Sequence, residues 1–321
     1  MLLAVDTEIS YAAFRNACKL YTESTCGLSF DVRYLHPRMF ANTDIRDQLT
    51  DVMRTARINH YAIMNIYQQR DIARNFSLDA GATIKEFRSL LGSDRKKNKV
   101  IIGLGYFDYN QSDSVSSLSY LAENTATSDV DIVVIITSVL TSPNRLPCTT
   151  LPANALKSPS TLLLPMEKAV PMALSNFGIP SLTVAFSFQM GVLLYRTQQR
   201  HAHPFDALYK ECTSMSISDY STACGVTPQE LHSERITIGF SSNRSFADTG
   251  KVVLQTFDTL RFMTDKANVI MGTPGIRVNF TWFLFNVHLT DLTGRCLTGG
   301  PFDRVKGFRD FYRLQWQRLN Q

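Results

Sequence analysis

Two periods of apolar residues alternate along the chain. Residues 28–35 alternate like a strand, and 2–6 form a second short strand-like run. Residues 10–21 read as a helix with Ala12, Ala13, Cys18, Leu20 and Tyr21 at apolar positions, and 44–57 as another that starts near Thr43 or Asp44. A strand at 61–67, a helix at 78–92, an apolar strand at 100–105 and a helix near 115–124 follow. Asp131-Ile132-Val133-Val134-Ile135-Ile136-Thr137 is a continuous β-branched run, the mark of a strand covered on both faces. Then come a helix at 166–177, a strand at 182–188, a mixed stretch at 190–240, a helix at 247–266, a strand at 280–287 and a last helix at 302–317. Strand–helix alternation over a whole chain implies an α/β fold with a parallel sheet. A barrel and a doubly wound sheet both satisfy it. There is no GxGxxG, no Walker-type loop and no G-x-S-x-G elbow, which weighs against the common doubly wound enzymes.

The composition is that of an ordinary globular domain, with 44% hydrophobic and 19% charged residues, so disorder and coiled coil are excluded. Net charge is +5, but the densest basic run, Arg95-Lys96-Lys97-Asn98-Lys99, has no interleaved aromatic and reads as a solvated turn. No nucleic-acid partner is expected. No apolar run approaches the ~18 residues of a membrane span. His201 and His203 have no cysteine or acid beside them, so no metal set and no cofactor is expected. Six cysteines (Cys18, Cys26, Cys148, Cys212, Cys224 and Cys296) and four glycosylation triplets (at Asn75, Asn110, Asn243 and Asn279) together favour the secretory route. The N-terminus, Met1-Leu2-Leu3-Ala4-Val5-Asp6, is no signal peptide. The expectation is therefore an extracellular protein whose signal peptide is absent from the recorded chain.

Four segments carry a family resemblance. Val130–Thr137 is one. The helix from Met166 to Phe177, with Gly178-Ile179-Pro180 and the strand at 182–188, is the second. Tyr209-Lys210-Glu211-Cys212, later Ile238-Gly239-Phe240 and Ser245, then a helix, form the third. Phe285 to Cys296, with Asp291 and Gly294, is the fourth. In order and spacing over about 100–315 they resemble the family 18 glycoside hydrolases, the chitinases and chitinase-like lectins. The resemblance implies a (β/α)₈ TIM-type barrel, 1–321, with a small α+β insertion at about 193–240 before the last helix. Residues 2–6, 28–35, 61–67 and 100–105 would be strands two to five. The first strand then has no counterpart, so an N-terminally incomplete chain is expected.

That family works by substrate-assisted catalysis, with a D-x-x-D-x-D-x-E motif ending strand four. Spacing of two puts its acids on one strand face, pointing into the barrel mouth. The matching stretch here is Asn59-His60-Tyr61-Ala62-Ile63-Met64-Asn65-Ile66, and no Asp or Glu lies between Asp51 and Asp71. Losing the general acid removes a factor of about 10²–10⁴ in rate. The family's sixth-strand Tyr-Asp falls on Ser138 and Val139, its seventh-strand Tyr near Gln189 or Met190, and its eighth-strand Trp on Phe285. The expectation is a non-enzyme of chitinase type, a glycan-binding lectin or a protein-binding scaffold. Its partners would be chito-oligosaccharide, another glycan, or an extracellular protein.

The candidate sugar contacts are Phe285 as a stacking floor, Tyr106 and Asp108 after strand five, and His288 and Asp291 after strand eight. Asp108 is the acid on which an active hydrolase would rest. A cytosolic α/β protein with reduced cysteines is the third reading. The resemblance also implies a Cys212–Cys296 disulfide; Cys18 and Cys26 would then close a short local loop, and whether Cys148 meets Cys224 stays open.

Overall fold

The computed structural model describes residues 16, 25–30, 42–68, 82–92, 94, 96–106, 129–140, 148–160, 162–177, 182–197, 204–224, 231–234, 239–245, 252–273, 280–291, 294, 296 and 300–319. Within these, the side chains at 65–68, 106, 204–205, 224, 231–234, 239–245, 252 and 319 are left undescribed. The expected strands at 2–6 and 31–35 and the expected helix near 115–124 fall outside, as does all of the 10–21 helix except Asn16.

The elements in chain order are β1 (Cys26–Ser29), α1 (Thr43–Ala56), β2 (Ile58–Gln68), α2 (82–91), β3 (Lys99–Tyr106), β4 (Ile132–Ile136), α3 (Met166–Phe177), β5 (Thr183–Gln189), β6 (Val192–Arg196), β7 (Ser214–Ser218), α4 (Ser221–Cys224), β8 (Leu231–Glu234), β9 (Gly239–Ser245), β10 (Val252–Phe257), α5 (Leu260–Met271), β11 (Phe280–Phe285) and α6 (Asp303–Leu319). Six strands make a parallel sheet in the order β1-β2-β3-β4-β5-β11. That is chain order with the β6–β10 stretch inserted, and the fold is the expected barrel-like α/β type.

The chain divides into two compact units, one of Met1–Tyr106, Asn110–Ile135 and Met172–Ala185, the other of Phe107–Tyr109, Ile136–Pro171 and Phe186–Gln321. In the first unit, Asn42 opens α1 by accepting from the Asp44 N–H at 2.9 Å, a local N-cap. Tyr61 on β2 packs its ring on Phe30 and on Phe87 of α2, at 5.5 and 5.0 Å between centroids. Tyr61 and Ile63 therefore face the helices. Alternation sends Ala62 and Met64 to the other face of the sheet. All four are buried. Gly103 on β3 is required by that second face: a Cβ there would stand 3.0 Å from the Met64 backbone. The buried Arg88 guanidinium pairs with Asp131, whose Oδ2 also accepts from Val100 N at 2.7 Å.

In the second unit, β6 to β10 form an antiparallel sheet in the order β7-β6-β10-β9-β8. This corrects the expected helix at 247–266. Val252-Val253-Leu254-Gln255-Thr256-Phe257 pairs with β6 and β9 as a strand, and the helix begins only at Leu260, capped by Thr259. Gly239, Phe240 and Ser245 lie along β9, and the strand-to-helix passage runs from β10 through Asp258. On β11, Phe280 and Trp282 pack against Phe186, Phe188 and Phe308 of α6, which sets Phe283 and Phe285 on the opposite face.

Candidate functional site at the carboxyl ends of the parallel strands

Barrel enzymes gather their chemistry at the carboxyl ends of the strands. In the second unit these ends are residues 137–139 after β4, Gln189 and Met190 at the end of β5, and Phe285 and Asn286 at the end of β11. Thr137 N donates to Ser187 Oγ at 2.9 Å, and Ser138 Oγ sits 2.8 Å from the same oxygen. Both hydroxyl residues are buried and mutually satisfied. The segment 151–156 then turns back, with Val139 N donating to Ala153 O at 3.1 Å. This return brings Asn154 onto the strand ends.

Asn154 is the hinge of a closed polar network. Its Oδ1 accepts from Gln189 N at 2.8 Å, and its Nδ2 donates to Asp258 Oδ2 at 2.9 Å. Lys266 of α5 donates to Asp258 Oδ1 at 2.7 Å, to Oδ2 at 2.9 Å and to Asn154 O at 2.7 Å. All three ammonium donors are thus used. Gln189 Nε2 donates to Val139 O at 2.9 Å, and its Oε1 accepts from Gly191 N and Asn286 Nδ2, each at 3.0 Å. Burial pulls the Lys266 ammonium down from its ordinary value, and the Asp258 carboxylate pulls it back up. Asn154, Gln189, Asp258 and Lys266 have no exposed surface.

Arg304, at the start of α6, closes the underside. It donates to Asp258 O at 2.8 Å and to Met190 O, and its guanidinium lies 3.5 Å from the centroid of the Tyr220 ring. Burial lowers it to about 10, against the pull of Tyr220 and Asp258. Asp258 therefore accepts three side-chain hydrogen bonds without contact to water. It is a structural carboxylate.

The anticipated site residues are scattered. Phe285 ends β11 half-buried, with its ring 4.9 Å from that of Phe283. His288 lies exposed in the short 3₁₀ turn Val287–Leu289 that follows β11. Asp291 is buried, and its Oδ2 accepts from Cys296 N at 2.9 Å, which staples its own loop. Tyr106 ends β3 with its side chain outside the described residues. Asp108 lies outside them entirely, as do Asn75, Asn110 and Asn279. Asn243 falls within β9, opposite Leu254.

The cysteine pairing differs from expectation. Cys148 bonds Cys212, with Cα atoms 4.9 Å apart, which overturns both Cys212–Cys296 and Cys148–Cys224. The backbone explains it: Cys212 N donates to Cys148 O at 2.8 Å and Tyr209 N to Thr150 O at 2.8 Å, so the two segments are already paired as a short ladder. Cys26 and Cys296 are also disulfide-bonded.

Sequence reading missed Asn154, Asp258, Lys266 and Arg304. A signal existed for Lys266. It shares the i, i+3, i+4, i+7 stripe of Met263, Ala267 and Ile270, an apolar face on which a lysine needs a buried partner.

No family model and no curated protein sequence matches the chain. Solved structures do. The human pseudo-chitinase YKL-39, described as having retained chitooligosaccharide binding properties, superposes with a TM-score of 0.65 at 13% identity, over 97% of this chain and 88% of its own. A Group IV chitinase of Ostrinia furnacalis gives 0.61 at 14% identity, over 97% and 87%. A chitinase-like agglutinin of Robinia pseudoacacia gives 0.60 at 13%, over 95% and 87%. The chain has the fold of these chitinases and chitinase-like proteins.

Proposed function

We propose that this chain is a non-catalytic chitinase-like protein that binds chito-oligosaccharide or a related glycan outside the cell. One observation carries the reading. β2 lies between β1 and β3, the place of the acid-bearing strand in the resembled family, and no residue of Ile58–Gln68 is an acid. Among the described residues of the second unit, Asp258 is buried and accepts three side-chain hydrogen bonds, and Asp291 is buried and accepts from Cys296 N. Without a general acid the hydrolytic step loses about 10²–10⁴ in rate. Glycan binding does not need that acid. It needs an apolar ring against the sugar face, and Phe285 with Phe283 behind it supplies one.

Two neighbours of the same fold support binding without turnover, the pseudo-chitinase with retained chitooligosaccharide binding and the agglutinin. The Cys148–Cys212 bond and the bonded Cys26 and Cys296 support the secretory route, because such bridges persist in oxidising compartments. A protein-binding scaffold is the outcome if no sugar binds.

The test is calorimetric titration of the full chain with chitotetraose and chitohexaose, run beside hydrolysis of a labelled oligosaccharide. Binding without turnover is the expected result. Turnover that Asp108→Asn abolishes would establish a hydrolase with a relocated acid. Absence of binding to either oligosaccharide would overturn the glycan assignment. Six free thiols in the native protein would overturn the extracellular one.

A further inference from the structure

Phe186 and Phe188 face Trp282, so Ser187 and Gln189 face the side of the sheet that carries Phe283 and Phe285. Asn286 joins that side through one bond: its Nδ2 donates to Gln189 Oε1 at 3.0 Å. The orientation of the amide is fixed by elimination. Gln189 Oε1 also accepts from Gly191 N at 3.0 Å, and a backbone N–H can only donate. Gln189 Nε2 donates to Val139 O at 2.9 Å, and a carbonyl can only accept. The atom that faces Asn286 is therefore an oxygen, and Asn286 must turn its NH₂ toward it. Its Oδ1 is left on the other branch of the amide. Among the described residues nothing donates to that oxygen. Asn286 is half-buried, and its Oδ1 reaches solvent. The side chain makes no capping bond to the Val287–Leu289 turn. By contrast, Thr137, Ser138, Asn154, Ser187 and Gln189 are buried and bonded to one another or to backbone. The backbone does not explain the amide either. Asn286 has φ 55°, a left-handed conformation that glycine adopts without strain.

We infer that Asn286 is the specificity residue of the proposed glycan site, and that its Oδ1 accepts the acetamido N–H of a sugar stacked on Phe285. This rests on the glycan reading above. The acceptor is next in the chain to the ring, and it is held from behind by Gln189, which has no exposed surface. An acceptor so held loses little freedom when a donor arrives. An acetamido N–H suits it better than a hydroxyl. The N–H is a single donor of fixed direction, whereas an O–H is a rotor that must be frozen and that water satisfies as well. A chito-oligosaccharide carries one such N–H on every ring, and a glucose chain carries none.

Chitotetraose and cellotetraose differ at each C2, acetamido against hydroxyl. Both are titrated calorimetrically against the full chain and against Asn286→Gly. Glycine keeps the left-handed backbone, and Gln189 Oε1 keeps Gly191 N, so no buried group is orphaned. The melting temperature of the variant, measured alongside, should barely move. The wild type should bind chitotetraose about 3- to 10-fold more tightly than cellotetraose, which is what one net hydrogen bond gives. Asn286→Gly should lose that factor for chitotetraose and change by less than about twofold for cellotetraose. Chitotetraose binding that is the same in the wild type and in Asn286→Gly would overturn the inference and leave the glycan reading standing. An equal loss for both oligosaccharides would overturn it too, because a loss blind to the acetamido group marks a loosened loop. Equal wild-type affinity for the two would overturn it whatever the variant does. No wild-type binding to either would remove the glycan reading, and the role of Asn286 with it.

Discussion

The Lys266 ammonium lies 2.7 and 2.9 Å from the two carboxylate oxygens of Asp258, and neither side chain touches water. An ion pair so placed is held by the cost of separating it. Removing one partner strands a charge in the interior, and about 3–5 kcal/mol of stability goes with it. Lys266→Met and Asp258→Leu should each lower the unfolding free energy by that order. Replacing both together, Lys266→Met with Asp258→Leu, should cost clearly less than the two singles added, because no lone charge remains. Urea unfolding of the four proteins, wild type included, gives the coupling directly. Additive losses would mean that the pair acts as two separate groups.

Asn154 links that pair to β5, since it accepts from Gln189 N and donates to Asp258. Asn154→Ala leaves a buried N–H and one carboxylate oxygen short of a partner. The expected loss is about 1–3 kcal/mol per orphaned group. Asn154→Asp is worse at neutral pH, because it sets a second carboxylate against Asp258. Its stability should improve as acid neutralises the new group, whereas that of Asn154→Ala should not. Thermal melts of both variants across pH 4–7 separate packing from charge.

His60 gives the first unit its own pH dependence. Its Nε2 lies 2.6 Å from Thr25 Oγ1, and its Nδ1 accepts from Lys99 N at 3.1 Å, which requires the neutral ring. Burial, with the Lys99 charge nearby, pushes the imidazole from 6.5 down to about 4. The folded state therefore binds fewer protons than the unfolded one between these values. Stability is full above pH 6.5 and falls as pH drops toward 4. After allowance for the partial exposure of the ring, the loss is about 1–2 kcal/mol. His60→Gln should flatten that part of the stability–pH curve, measured by urea unfolding. A curve unchanged by the substitution would exclude His60 as its source.

Legibility in the sequence followed burial on two faces. β4 and the body of β3 are covered on both sides and read as apolar runs, β5 is apolar but for Thr183, Ser187 and Gln189, and all three are legible, as is α3 at its observed bounds. The second sheet is not. β7 is Ser-Met-Ser-Ile-Ser and β9 is Gly-Phe-Ser-Ser-Asn-Arg-Ser, short and polar, and the ladder that ties their sheet together pairs residues as distant as Leu193 and Thr256. β10 was taken into a helix because Val252, Val253 and Leu254 suit either period over so short a run. At the site, the missing acid was plain, because an absence survives any error of register. Asn154 was invisible, since its role depends on a return of the chain after β4 that no local pattern encodes.

The disulfides make the same point chemically. Six cysteines allow fifteen pairings, and spacing selects none of them. Cys148 and Cys212 close a separation of 64 residues, so loss of the bond should cost about 4 kcal/mol by chain entropy. The neighbouring ladder through Thr150 and Tyr209 persists without it. Cys148→Ser with Cys212→Ser should thus melt lower while keeping its glycan affinity. Non-reducing peptide mapping should recover 148 joined to 212; a peptide joining 212 to 296 would refute the pairing.

Phe285 is the residue on which the proposed glycan contact rests. It ends β11 on the face away from Trp282, half-buried, with Phe283 against its ring at 4.9 Å. A sugar stacked there would gain its energy from the buried ring face and would make no hydrogen bond to it. Phe285→Ala should therefore weaken chito-oligosaccharide binding by about 1–2 kcal/mol, roughly 5- to 30-fold, with little change in melting temperature. Phe285→Trp should keep or improve affinity, since the larger ring offers more face. Phe283→Ala tests the support: it removes the backing of Phe285, so affinity and stability should fall together. If Phe285→Ala instead lowers stability and leaves affinity untouched, the ring belongs to the core and the glycan binds elsewhere.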